Sequence, residues 1–269
     1  MVRIDIALCT GCASCVKDCF HRNIEIRDQK AHICSSDCFH CGHCVAVCPV
    51  NAVSLDDYDM ADVTEMAPMN LTAESILSFI KLRRSIRQFK NRTVEQKLIR
   101  QIIEAGRYTA TASNRQEITF IVVEKEMAVF REQVITRLAE KGREILTSDS
   151  SVPTSRNYAK RWIAAEESYR ENPDEIDPMF FNAPVVLLIA GDHQIDAGLA
   201  ASNMELVACA SGLGVLYSGF ITRGTDNEKT RKMLKIPEGK DILTALIIGY
   251  PDVRYRRSAP KKKADVVWC

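Results

Sequence analysis

From Leu71 onward, apolar positions alternate between the helical and the strand period. Thr72 precedes Ile76, Leu77, Phe79 and Ile80, which predicts a capped helix running into the basic stretch Arg83-Arg84-Ser85-Ile86-Arg87-Gln88-Phe89. Thr93-Val94-Glu95-Gln96 reads as a capping box opening a second helix. Leu98, Ile99, Ile102 and Ile103 fall on one face of it, with Gly106 as its stop. Ile118 to Glu124 is rich in β-branched residues and reads as a strand. Helical patterns follow at about 126–142 and 155–171, then a buried-type strand, Val185 to Ile189. Asp196 to Ser211 predicts a long helix ending at Gly212. Val215 to Tyr217 and Ile242 to Ile248 read as further strands, with a helix near 226–235 between them. Helices and strands mix without strict βαβ alternation, so the expected class is α+β, a mixed sheet flanked by helices.

The first 55 residues carry cysteine instead of periodicity. Nine of the eleven cysteines lie before residue 49, and eight of them write one spacing twice. Cys9, Cys12, Cys15 and Cys19 are spaced C-x2-C-x2-C-x3-C, and Cys38, Cys41, Cys44 and Cys48 repeat this 29 residues later, followed by Pro49. In bacterial two-cluster ferredoxins this run supplies three thiolates to one iron–sulfur cubane and its fourth cysteine to the other. The expected ligand sets are therefore crossed: Cys9, Cys12, Cys15 and Cys48 on one [4Fe-4S] cluster, and Cys38, Cys41, Cys44 and Cys19 on the second. Disulfides suit secreted scaffolds, and the start Met1-Val2-Arg3-Ile4-Asp5 has no apolar signal region. Structural zinc takes separated cysteine pairs, not four thiols within eleven residues. Phe20 stands where a proline is usual and is expected to loosen the first turn. Cys34 has no partner in the 29-residue register and reads, with Cys209, as a small buried hydrophobe. His21, His40 and His43 read as neighbours of the ligands or surface groups.

So short a cysteine-dense segment cannot build a large core, and bound metal is expected to supply much of its folding energy. The expected organisation is a cluster domain over residues 1–56, an acidic linker over 57–70 and a larger domain over 71–269. A net charge of +1 argues neither for nucleic acid nor for an acidic surface. Five basic and five acidic residues through Leu55 fit a domain that serves its own chain better than a free carrier docking by charge. The longest apolar runs, Ala183 to Ala190 and Ala245 to Ile248, are far short of a membrane span. A soluble protein of a reducing, oxygen-poor cytoplasm is the expectation.

Three features of the larger domain converge on a bound anion. Arg83, Arg84 and Arg87 bring three guanidinium groups around the Ser85 hydroxyl, a set suited to a phosphate. Ser113-Asn114-Arg115-Gln116 places amide side chains in a turn before a strand, able to read the edge of a planar heterocycle. Gly212-Leu213-Gly214 and Ser218-Gly219 allow a ligand close to the backbone. The glycines lack the remainder of a dinucleotide fingerprint.

Taken in order, with Asp196-Ala197-Gly198 and Ile248-Gly249-Tyr250-Pro251, these passages resemble the nitroreductase family of FMN-dependent oxidoreductases. The whole chain resembles its variant with an N-terminal ferredoxin domain. The resemblance implies a homodimer with FMN in clefts at the subunit interface, and chemistry at flavin N5 without a catalytic side chain. It implies Arg83, Ser85 and Arg87 at the ribityl phosphate and flavin with Arg84 beside them, and Asn114 and Gln116 near the isoalloxazine or across the dimer interface. Ser218 and Gly219 fall where a backbone N–H approaches N5, and Lys261 of the basic tail aligns as a further phosphate cation. Thr109-Ala110-Thr111-Ala112 stands where a proline-containing turn is common, and Glu117 where proline and an aromatic residue are.

The expected function is an oxidoreductase passing electrons from reduced ferredoxin or another low-potential donor through two clusters to FMN. A nitroaromatic, quinone or activated alkene is the expected acceptor. Two alternatives stand beside it: an electron-transfer module of a larger redox assembly, and an NAD(P)H-driven nitroreductase whose clusters are not the input.

Overall fold

The computed structural model describes residues 1–148, 153–173 and 179–269 and divides into two compact units. The smaller holds Met1–Asn70 together with Thr111–Gln116; the larger holds Leu71–Ala110 and Glu117–Cys269.

The smaller unit is built twice over. Strand β1 (Val2–Ile4) pairs antiparallel with β4 (Val53–Leu55), and β2 (Ile24–Arg27) with β3 (Lys30–Ile33). Helices α1 (Ser14–Asp18) and α2 (His43–Ala46) begin 29 residues apart, in the register of the cysteines. The backbone follows the same register: Gly11 and His40, Ala13 and Gly42, and Arg22 and Asn51 all have positive φ. Phe20 does not loosen its turn. Asn23 N–H donates to Cys19 Sγ at 3.3 Å, and Ala52 N–H to Cys48 Sγ at 3.2 Å, so the turns after Cys19 and Cys48 close alike. The Phe20 ring points to solvent, and the amide-to-sulfur bond does the closing.

The stretch expected to be a linker begins as part of this unit. Asp56 pairs with Arg3 at 2.8 Å and Asp57 with the Met1 amine at 3.3 Å, while Met60–Asp62 forms a 3₁₀ turn capped by Asp59. Its acidic residues meet basic groups of the first strand, a pairing that periodicity does not register.

In the larger unit, α3 (Ala73–Leu82) is capped by the Thr72 hydroxyl, which accepts from Ser75 N–H. Helix α4 (Gln96–Arg107) departs from its expected ends. The capping box does not form: Thr93 and Val94 lie outside the helix, and the Gln96 amide donates to Glu124 at 2.7 Å instead of reaching back to Thr93, while the Glu95 carboxylate at the helix start binds Arg92 at 2.8 Å and the Tyr250 hydroxyl. Gly106 is not a stop. A Cβ there would come within 2.8 Å of Met204 and Phe120, so its smallness brings α4 close to its neighbours.

Strands β5 (Thr119–Val123), β6 (Val185–Gly191), β7 (Gly214–Tyr217) and β8 (Asp241–Gly249) form one sheet in the order β5-β6-β8-β7, every pair antiparallel. A parallel component comes from the bridge between Ser85 and Val215. Helices α5 (Met127–Thr147) and α6 (Pro153–Glu171) cover one face, where Phe130, Leu138 and Trp162 meet Val186, Leu188 and Ile247. Helices α4 and α7 (Gln194–Ala210) cover the other, where Ile102 and Met204 meet Leu187, Ile189 and Leu246. Alternate residues of β6 therefore enter different cores, which is why the strand reads as an unbroken apolar run. Two short helices, α8 (Gly219–Gly224) and α9 (Glu228–Leu234), complete the unit. Among the described residues no helix is long and apolar enough to cross a membrane.

Candidate functional site

In the smaller unit the cysteines separate into two cavities. One is lined by Cys9, Cys12, Cys15 and Cys48 with Ile4, Ala31 and Val53. The other is lined by Cys19, Cys38, Cys41 and Cys44 with Val2, Ile24 and Leu55. Each cavity thus takes three thiols from one run and the last thiol of the other. Among the described residues no three His, Cys, Asp or Glu groups close on one point as around a lone ion. The thiols ring a space instead, and soft sulfur around an apolar space suits a polynuclear iron–sulfur cluster. The backbone suits its charge: Ala31 N–H donates to Cys9 Sγ at 3.4 Å and His40 N–H to Cys38 Sγ at 3.3 Å. Burial pushes the Cys44 thiol up to about 11 and raises Cys15, so metal loading there displaces protons.

Other residues around the cavities take ordinary partners. Asn23, buried, donates to the carbonyls of Ser35 and Asp37 at 2.9 and 3.0 Å and accepts from Ser35 N–H, fixing the approach to Cys38. His40 pairs with Asp57 at 2.6 Å, His43 with Asp18 at 3.2 Å, and His21 packs edge-on to Phe39. Cys34 is exposed, not a buried hydrophobe, because the chain turns outward after β3. Cys209 is half-buried on α7, where burial pushes its thiol up to about 11. Asn114 and Gln116 also group with this unit. Asn114 Nδ2 donates to the His40 carbonyl at 2.9 Å and Gln116 Nε2 to the Tyr58 hydroxyl at 2.9 Å. Ser113, Asn114 and Gln116 all have positive φ, a turn shaped without the usual proline.

In the larger unit the segment carrying Arg83 and Ser85 runs beside β7, the strand that leads into Ser218 and Gly219. The segment after α3 runs beside β7: Ile86 N–H donates to Val215 O at 3.0 Å, and Lys90 N–H to Tyr250 O at 2.8 Å. Gly214 serves this approach, not a ligand, since a Cβ there would lie 2.5 Å from the Ile86 side chain. Gly214→Val is therefore expected to cost about 1–3 kcal/mol by overpacking. A lowered denaturation midpoint of the larger unit by circular dichroism checks it; an unchanged midpoint removes the packing explanation.

At the far end of β7, Ser218 N–H donates to Ala245 O at 2.9 Å and its hydroxyl caps α8, so its polar groups are committed to the fold. Gly219 opens into space, with nothing within 4 Å of where a Cβ would stand. Arg83 Nη1 donates to Glu205 Oε1 at 2.8 Å, Arg84 lies over the Tyr255 ring, and Arg87 is exposed. Lys261 lies in the exposed segment after β8, outside any helix or strand.

Glu205 and Tyr217 join the two sides of this site and were not among the expected residues. Glu205 is buried on α7 and accepts from both Arg83 and the Tyr217 hydroxyl. It carried a readable signal: a carboxylate four residues after Ala201 and three before Ala208, on the buried stripe of the helix.

Known proteins match in both parts. Residues 80–250 match the Nitroreductase family, and residues 1–61 match the 4Fe-4S dicluster domain. A curated relative, the FMN reductase (NADPH) of Bacillus subtilis (strain 168), is 26% identical over 68% of this chain and 67% of its own length. The chain thus spans about two thirds of that relative. Among solved structures, a nitroreductase with bound FMN from Bacteroides fragilis NCTC 9343 is 18% identical, with a TM-score of 0.57 over 72% of this chain and 98% of its own. A nitroreductase with bound FMN from Desulfitobacterium hafniense DCB-2 is 21% identical, with a TM-score of 0.53 over 74% and 100%. At such identities the two structures speak for the fold.

Proposed function

Since the chain belongs to the nitroreductase family and carries a 4Fe-4S dicluster ferredoxin domain at its N-terminus, we propose that it is an iron–sulfur FMN oxidoreductase. Its electrons enter at two four-iron clusters and leave from FMN to a small acceptor: a nitroaromatic, a quinone or an activated alkene. The observation that carries this reading is the presence, in one chain, of two cavities ringed by four thiols each and an arginine–serine segment paired with the strand that leads to Gly219. When bound, the clusters supply single electrons and FMN handles them singly or in pairs, which joins a one-electron donor to a two-electron acceptor.

The residues divide the work of holding. Cys9, Cys12, Cys15 and Cys48 would hold one cluster, and Cys38, Cys41, Cys44 and Cys19 the other. Arg83, with Arg84 and Arg87, offers charge-assisted N–H donors to the ribityl phosphate, and the Ser85 hydroxyl adds another. Because Ser218 N–H is used by Ala245, the amide that would approach the flavin from this turn is that of Gly219. Asn114 and Gln116 donate to His40 and Tyr58 within the smaller unit, and their place beside the flavin rests on the family resemblance. Lys261 would add a phosphate cation. A homodimer would bring a second copy of these groups to each cleft, and a cytoplasmic setting suits the free thiols.

Anaerobic purification tests the reading: about eight irons and a single FMN per chain are expected. Reduced ferredoxin should reduce clusters and flavin alike. Clusters that reduce while the flavin stays oxidised would end the proposed direction of flow, and zinc in place of iron, or no flavin, would end the assignment. The NADPH in the name of the Bacillus subtilis relative favours a second reading, in which NAD(P)H reduces the flavin directly. Bleaching of the flavin by NAD(P)H alone distinguishes it.

A further inference from the structure

We propose that Glu205 is a positioning residue for Arg83, and that it takes up a proton from solvent when the phosphate of FMN binds that arginine. The proposal rests on the flavin reading above.

The Glu205 side chain is 6% exposed, whereas that of Arg83 is 32% exposed. The carboxylate is thus cut off from water while its counter-ion still faces outward. Arg83 uses Nη1 on Glu205, which fixes the guanidinium plane and leaves its other N–H groups for an incoming anion. The charged and titratable groups that act on Glu205 come from three elements: Arg83 at the end of α3, Cys209 one turn along α7, and Tyr217 at the end of β7. Of these Arg83 alone is a cation. Burial pushes the proton affinity of Glu205 up, Arg83 and the Tyr217 hydroxyl pull it down, and the balance is upward.

A dianionic phosphate on the outer edge of Arg83 competes for the same positive charge. A buried carboxylate that shares its cation neutralises by protonation more readily than it stays charged. The proton then sits on a Glu205 oxygen, and the acid remains between Arg83 and Tyr217 while the full guanidinium charge faces the phosphate. The sign follows from linkage. Glu205 binds its proton more tightly with FMN present than without, so FMN affinity is highest below the flavin-free pKa. It falls as pH rises toward the flavin-bound one, by up to about tenfold per pH unit.

The test uses the full chain, freed of flavin anaerobically and titrated with FMN by calorimetry in two buffers of different ionisation enthalpy across a pH series. The FMN phosphate changes its own protonation on binding; wild type and Glu205→Gln both keep Arg83 at that phosphate, so the difference between them isolates Glu205. Wild type should take up more protons than Glu205→Gln, whose affinity should follow only the phosphate. Glu205→Asp, which keeps an acid, should restore part of the uptake. Arg83→Gln gives an independent arm should Glu205→Gln not fold: without its cation Glu205 is already protonated, so Arg83→Gln should take up no more protons than Arg83→Gln with Glu205→Gln, although binding weakens. Equal uptake and parallel pH profiles in wild type and Glu205→Gln overturn the proposal, as does uptake by Arg83→Gln that exceeds that of Arg83→Gln with Glu205→Gln. A wild type that binds no FMN at any pH overturns the flavin reading, and the proposal with it.

Discussion

Replacing Cys48 by serine is expected to empty the cavity of the first cysteine run and to leave the second loaded. Cys48 follows Cys44 by only four residues, yet it lines the space with Cys9, Cys12 and Cys15, while Cys44 lines the other. Serine offers a harder and far less acidic donor, so the iron at that corner loses a thiolate. Iron content should fall from about eight to about four per chain. The crossing gives the sharper signature: the reduced electron-paramagnetic-resonance spectrum of Cys48→Ser should match that of Cys12→Ser, and Cys19→Ser should match Cys41→Ser. A Cys48→Ser spectrum that matches Cys41→Ser would mean uncrossed runs. Because the hydrophobic clusters of this unit are small and bordered by the ligands themselves, losing one cluster should also lower its unfolding temperature while the larger unit unfolds as before.

Much of this was legible before any coordinates, for identifiable reasons. The cysteine spacing is short-range and each position is tied to a ligand, so the crossing is written locally. The strand Val185 to Ile189 was legible because a sheet covered on both faces demands apolar residues at every position. Thr72 was legible because a cap is decided by its own side chain. Where legibility failed, a distant partner decided the outcome. Thr93 and Gln96 looked like a capping box, but Glu124, further along the chain, takes the Gln96 amide. Gly106 and Gly214 looked like a stop and a ligand approach, and both are small because Phe120 and Ile86 press on them. Cys34 was expected inside because cysteine is apolar, yet the turn after β3 carries it out.

The candidate site divides in the same way. Arg83 and Ser85 read as a candidate phosphate set from their spacing within one segment. Their pairing with β7 through residues 85 and 86 is a long-range contact that no local pattern records. Asn114 and Gln116 were read from their amides, and which partners those amides meet depends on the turn around Ser113. Glu205 was the most informative residue passed over. Charged residues are seldom fully buried unless paired, so a carboxylate on the alanine-lined face of α7 already called for a cation.

Arg83→Met is accordingly expected to do more than weaken FMN binding. The aliphatic chain keeps most of the volume of the arginine stem, so what is lost is charge and the bond to Glu205. Breaking a buried pair from one side leaves the other charge uncompensated, at about 3 kcal/mol here, the low end because Arg83 is partly exposed. Without Arg83 the cation that opposes the effect of burial on Glu205 is gone, so its folded-state pKa rises further above that of the unfolded chain. A group with a raised folded pKa contributes its full stability below the unfolded pKa and loses it as pH rises through the folded one. The stability gap between wild type and Arg83→Met should therefore be small near the ordinary carboxylate range and widen toward neutral pH. Replacing the partner as well should recover much of the loss, since Arg83→Met with Glu205→Gln leaves no charge buried. Denaturation midpoints of the flavin-free proteins across pH read both effects. A gap that does not change with pH, or a double variant as weak as Arg83→Met, would place the cost in packing and not in the ion pair.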